Sequence, residues 1–151
     1  MKHRLFVVKY SQKNSVPEDM KMLETGIKGC REITVTDELT AKRFGSGELE
    51  VYATPAMIAL AEETALKSVA DKLEPGQGTV GTRVDVAHLA ATPLGMKVRC
   101  ETELIEIDRR RLTFSVNVYD ETDKVAEGTH ERFIIDNEKF MKKAEAKAKR
   151  T

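Results

Sequence analysis

Glu62 and His88 stand in this sequence where apolar residues belong, and a carboxylate and an imidazole together can perform acid–base chemistry. The run Pro55 to Glu74 reads as one amphipathic helix. At 100° per residue, Ile58, Ala65, Leu66, Val69 and Leu73 fall within about 60° of Glu62. The polar stripe lies elsewhere, through Glu63, Lys67, Asp71 and Glu74. Glu63 can pair with Lys67, and Lys67 with Asp71, at i,i+4. Glu63 is therefore the ordinary solvated carboxylate and Glu62 the misplaced one. An unpaired buried carboxylate costs several kcal/mol or takes up a proton. A chain that keeps one there has a use for it or gives it a partner.

His88 repeats the anomaly on a strand, sharing the apolar parity of Val84 and Val86. If that face packs on the helix, His88 and Glu62 point into the same layer, where acid and imidazole can satisfy and tune each other. The alternative is a core histidine bonded to a backbone carbonyl. Thr54 precedes Pro55 and is expected to cap the helix, with Pro at N1. Its hydroxyl would also stand beside free backbone N–H groups and the positive end of the helix dipole. Gly81 interrupts a strand of β-branched residues, which marks either a simple bulge or a close approach of ligand to backbone.

The elements that must hold these residues follow from the pattern. Residues 1–20 (MKHRLFVVKYSQKNSVPEDM) lack sustained periodicity and are expected to be an N-terminal extension, with 21–151 as a single domain. Cys30 to Asp37 is a strand candidate, FGSGE (44–48) a loop, and Leu49 to Ala53 a short strand. EPGQG (74–78) ends the long helix. Four strand-like segments follow. The first places Val80, Thr82, Val84, Val86, His88 and Ala90 on one face. The second alternates from Met96 to Leu104 and slips at Leu104-Ile105, which predicts a bulge. Leu112 to Val118 and Lys124 to Asp136 complete the set, and Asn137 to Arg150 reads as a charged surface helix. A lone amphipathic helix ahead of an antiparallel meander lies on one sheet face, giving an α+β domain.

With 25 basic and 25 acidic residues the formal net charge is zero, which argues against general nucleic-acid or membrane affinity. Low net repulsion favours self-association. The apolar stretches are far too short to span a bilayer, and LFVV at the N-terminus has no signal-peptide pattern. Two cysteines, Cys30 and Cys100, without CxxC spacing fit free thiols in a cytoplasmic protein. The histidines are His3, His88 and His130. With no HExxH and no Cys/His cluster, no metal site is expected, and no phosphate-cradling glycine loop is present.

ATPAMIALAEETA, then LEPGQGTVGTRVDVAHLAATPLGMKV, then EGTHERF resemble the hotdog-fold acyl-CoA thioesterases, most closely the fluoroacetyl-CoA thioesterase group. The likeness runs from about residue 22 to 145. LEPGxG, GT, H-x-AATP and GTHER are specific together, though none suffices alone. The resemblance implies a hotdog fold: a long central helix wrapped by an antiparallel sheet, in a homodimer with interfacial active sites. It implies catalytic roles for Thr54, Glu62 and His88, and substrate-binding roles for the Gly81 backbone and Arg132. Coenzyme A enters only as part of the substrate, with no separate cofactor. Pro55 stands where the fluoroacetyl enzyme has Gly. RFGSGELEVY (43–52) replaces the aromatic-rich segment that lids that enzyme's pocket, so fluoroacyl specificity is not implied.

The expected activity is hydrolysis of a short- to medium-chain acyl-CoA thioester. The reaction needs an oxyanion site, a nucleophile or activated water, and a proton donor for the thiolate. Gly81 N–H would hold the carbonyl oxygen. Glu62 would attack or activate water, His88 would orient and protonate, and Thr54 would position the carboxylate or the water. Acyl-enzyme and direct-water routes both remain open. A hotdog enoyl-CoA hydratase or dehydratase and a non-catalytic acyl-CoA-binding module are the alternatives.

Overall fold

The computed structural model describes residues 22–150. The expected N-terminal extension, residues 1–20, lies outside them. The order is β1 (Lys28–Thr34), α1 (Ala41–Phe44), α2 (Thr54–Val69), β2 (Gln77–His88), β3 (Lys97–Asp108), β4 (Arg111–Tyr119), β5 (Lys124–Asp136) and α3 (Asn137–Ala148). One antiparallel sheet has the strand order β1-β3-β4-β5-β2. Consecutive strands β1 and β2 thus form opposite edges, and α2 carries the chain between them across one face. This is the α+β hotdog architecture.

The inner face shows the strict period of two that half-buried strands require. Leu112, Phe114, Val116 and Val118 of β4 are buried, alternating with half-exposed neighbours. Cys100, Thr102 and Leu104 of β3 lie opposite Val118, Val116 and Phe114. Met57, Leu60, Ala61 and Ala65 of α2 close the layer from above. Met57 is fully buried, and its truncation to Ala would cost about 2–5 kcal/mol. Gly29 lets helix and sheet approach. A Cβ there would lie 2.9 Å from the Thr64 carbonyl oxygen and 2.7 Å from Thr102 Oγ1.

The bulge expected at Leu104-Ile105 is present: the β3–β4 register shifts between Leu104 and Glu106, leaving Ile105 exposed. Four expectations need correction. The long helix gives way after Val69 to a 3-10 turn, Ala70–Lys72, rather than running to Glu74. Pro75 disfavours helix at the residue before it. Glu74 to Gln77 then form a turn closed by Gln77 N–H to Glu74 O at 3.0 Å, with Gly76 at φ +83°.

Leu49 to Ala53 makes no strand of its own, only bridges of Val51 to Pro93 and of Tyr52 to Thr40. In β2 the register shifts between Gly81 and Arg83. Gly81 lies opposite Arg132, but Val84 lies opposite His130, so the two parities exchange across the bulge. Val80 and Thr82 therefore do not share the face of Val84, Val86 and His88.

The fourth correction concerns the helix. Its buried face centres on Met57, Leu60, Ala61 and Thr64, about 150° from Glu62. Leu60 is in the core. Ile58 and Leu66, which flank Glu62, are the half-buried and exposed ones. No helix among the described residues is long and apolar enough to cross a membrane.

Candidate active site

The N-terminus of α2 and the C-terminus of β2 meet at Thr54 and His88. The helix N-cap is Ala53, not Thr54, with extended dihedrals and no side-chain cap. Pro55 fits the first turn because its missing N–H has no intrahelical partner to lose. Being one residue inside the helix, Thr54 turns its hydroxyl outward, 2.8 Å from Nδ1 of His88. Helix-terminal N–H groups beside it carry the positive end of the dipole.

The His88 ring is half-buried, and burial pushes its pKa down, opposed by the Ala90 carbonyl. The imidazole is therefore neutral near pH 7 and able to accept the Thr54 proton. Its Nε2 is buried without a hydrogen-bond partner among the described residues. A cleft of about 320 Å³ opens beside the pair, lined in part by Ser46, Val51, Tyr52 and Leu89.

The second group gathers two helical turns along. Arg132 on β5 is buried and points to the inner face. Its Nε donates to Thr79 Oγ1 at 2.8 Å and its Nη2 to the Thr79 carbonyl at 2.9 Å. Its Nη1 lies 3.1 Å from His130 Nε2 and 3.5 Å from Glu62 Oε2. Burial pushes the Arg132 pKa down while Glu62 raises it. A guanidinium nevertheless stays charged in proteins. Glu62 keeps 43% of its side chain exposed, so it is the paired carboxylate, not the unpaired buried one.

Gly81 makes the arrangement possible. A Cβ at this position would lie 2.6 Å from Glu62 Oε2, 3.3 Å from His130 Cε1 and 3.4 Å from Arg132 Nη1. Only glycine lets the carboxylate lie over the strand at the bulge. Glu63, one residue on, instead bonds Arg31 at 3.1 Å and Lys67 at 3.0 Å, and the Lys67 hydrogen bond leads the lowering of its pKa.

One chain thus assembles two halves, Thr54 with His88 and Glu62 with Gly81 and Arg132. Eight residues of helix separate Thr54 from Glu62, a rise of about 12 Å. Sequence reasoning passed over His130 and Thr79. The usable signal was parity: His130 stands two residues before Arg132 in GTHER, on the same face of a strand. A groove of about 360 Å³ on the outer sheet face, lined in part by Lys28, Cys30, Glu101, Glu103, Ser115 and Asn117, lies apart from both halves. Among the described residues no group of His, Cys, Asp and Glu is placed to hold a metal ion.

A family model described as fluoroacetyl-CoA-specific thioesterase matches residues 35–138. The fluoroacetyl-CoA thioesterase of Streptantibioticus cattleyicolor is 43% identical over 98 residues, covering 65% of this chain and 70% of its own. The solved structure of fluoroacetyl-CoA thioesterase FlK superposes with a TM-score of 0.78 at 34% identity, covering 83% of this chain and 97% of that one. A Thermus thermophilus protein of the thioesterase superfamily gives a TM-score of 0.79 at 28% identity, covering 84% and 94%. On this agreement of sequence, fold and family model, the chain belongs to the fluoroacetyl-CoA-specific thioesterase family and is a thioester hydrolase.

Proposed function

We propose that the protein is a cytosolic homodimeric thioesterase that hydrolyses short- to medium-chain acyl-CoA thioesters, with Thr54, Glu62 and His88 as its catalytic residues. The observation that carries this reading is the hydroxyl–imidazole pair of Thr54 and His88 beside an open cleft. In hydrolysis the oxygen of water, or first that of an enzyme nucleophile, forms a bond to the thioester carbon. The C–S bond breaks, and a proton goes to the leaving thiolate. Neutral His88 can take the proton from Thr54 or from a water held there, and return it to the sulfur. Glu62, oriented by Arg132, attacks the thioester carbon or activates the water that does. The Gly81 backbone and the α2 N–H groups receive the carbonyl oxygen. Free thiols at Cys30 and Cys100 fit a reducing cytosol.

The dimer reading rests on β2. Among the described residues it pairs only with β5, which leaves the other edge of a twelve-residue strand open. Two copies paired antiparallel across that edge, centred near Val84 and Asp85, would set Gly81 of one protomer opposite His88 of its partner. Each Glu62, Gly81 and Arg132 half would then face a Thr54 and His88 half. The exposed apolar side chains near them, Leu66 and Leu89, would be covered.

For the acyl group, the polar loop that carries Ser46 borders the cleft in place of an aromatic lid. An apolar pocket gains about 1–3 kcal/mol per methylene, so selectivity among simple acyl chains is graded. A panel of acetyl-, butyryl-, hexanoyl-, phenylacetyl- and fluoroacetyl-CoA with a free-thiol readout tests the reading. Thiol release on several substrates supports it. Loss of an enoyl-CoA without thiol release would make the protein a hydratase, and binding without turnover a binding module. A fluoroacetyl preference above about 10³-fold over acetyl would mean that another element replaces the lid, since simple apolar fit gives far less.

A further inference from the structure

His130 is fully buried between Arg132 and the bulge of β2, and the reaction steps above do not use it. Its Nδ1 lies 2.7 Å from the Arg83 carbonyl oxygen and its Nε2 lies 3.1 Å from Nη1 of Arg132. The partners fix the tautomer. A carbonyl oxygen only accepts and a guanidinium only donates. The ring must therefore donate from Nδ1 and accept at Nε2, which only the neutral Nδ1–H form can do. Phe114 packs alongside the ring at 6.4 Å between centroids. Through these contacts the ring ties the β2 bulge to the Arg132 group that lies against Glu62.

We propose that His130 is a positioning residue of this thioesterase. As the neutral Nδ1–H tautomer it locks the Arg132 guanidinium against Glu62 and fixes the β2 bulge that presents Gly81, without touching substrate itself. The inference rests on the reading that Glu62 and Arg132 belong to the site. A proton added at Nε2 would aim an N–H at Nη1 of Arg132 and set two like charges against each other. The charged groups around the ring are Arg132 and Glu131 on β5 and Glu62 on α2; β2 offers the Arg83 carbonyl, and β4 contributes Phe114. Burial and Arg132 hold the imidazole below its ordinary pKa, while the Arg83 carbonyl and the two carboxylates raise it.

The test is a double-mutant cycle on the full chain. Arg132→Met alone should lower kcat/KM at least about tenfold. His130→Leu in the native background should lose at least about tenfold, chiefly in kcat, yet less than about twofold more in the Arg132→Met background. His130→Gln carries both a donor and an acceptor, so it should recover activity relative to His130→Leu. If Arg132→Met is fully active, the site reading itself fails. If Arg132 matters but the two losses multiply, His130 does not act through Arg132 and the inference is overturned. Nitrogen-15 NMR of the native protein's histidines needs no variant to fold. It should find His130 as the neutral Nδ1–H form at pH 6.5, and an Nε2–H or a doubly protonated ring there would overturn the proposal.

Discussion

The hydroxyl of Thr54 lies 2.8 Å from Nδ1 of His88, joining the first residue of α2 to the last residue of β2 across 34 positions of sequence. Because Ala53 is the N-cap, the hydroxyl makes no helix-capping bond and is committed to the imidazole. Thr54→Val keeps the shape and removes the oxygen. It should lower kcat/KM at least about tenfold, the lower range of acid–base effects. The melting temperature should move by no more than about 4 °C. Thr54→Ser, which keeps the hydroxyl, should retain most of the activity. A large thermal loss in Thr54→Val would instead make the hydroxyl a structural cap.

Glu62 and Glu63 are neighbours with different duties. Glu62 lies over Gly81 and beside Arg132, whereas Glu63 forms an exposed pair with Arg31 and Lys67. Exposed ion pairs contribute little to stability. Glu62→Gln should reduce kcat/KM at least about tenfold, and Glu63→Gln should stay within about threefold. Steady-state kinetics on one acyl-CoA decide it, and equal losses would remove Glu62 from the site.

Burial lowers the pKa of both His88 and His130 below the ordinary 6.5. The unfolded chain therefore binds these protons first as the pH falls, and the native state resists them. The stability they contribute is complete above pH 6.5, declines as pH falls from there through the native pKa values, and then levels. The urea midpoint should be constant from pH 8 to 7 and lower at pH 5.5. The lowered carboxylates, Glu63 and Asp120, act only further down, below their ordinary 4.5 and 3.8. A midpoint that does not change between pH 7 and 5.5 would mean that the two imidazoles are not held neutral by the fold.

Most of the scaffold was legible in the sequence because its strands alternate strictly. Leu112 to Val118 declares its faces, Lys124 to Asp136 its ends, and the Leu104 slip its bulge. What failed was local. The capping preference of Thr54 gave way to a side-chain partner 34 residues away, which no local signal encodes. Glu62 was read as a buried carboxylate on the core face, but it is half-exposed and paired with Arg132, on a face that the chain's own sheet does not cover. Helical spacing groups residues without saying which group meets the core. Here the group with Met57, Leu60, Ala61 and Thr64 does so, with Thr64 and Ser68 coming close to Gly29. The parity of His130 with Arg132 was there to be read, but its bond to the Arg83 carbonyl is set only by the pairing of β2 with β5.

The spacing of the two half-sites makes a sharper prediction than oligomer mass alone. Thr54 and Glu62 are about 12 Å apart along α2, and antiparallel pairing of the β2 edges would bring each to the other's partner across the interface. Sedimentation at micromolar concentration should give about twice the mass of one chain, and a stable, active monomer would refute the dimer. Complementation then locates the site. Neither Thr54→Val nor Glu62→Gln homodimers should have a complete site. A co-expressed mixed dimer of the two variants would hold one site with both lesions and one with neither, provided that each site combines Glu62 of one protomer with Thr54 and His88 of its partner. Random pairing yields half mixed dimers, so activity should return to about one quarter of the native level. If each site instead lies within one chain, every site in the mixture carries a lesion and no activity returns.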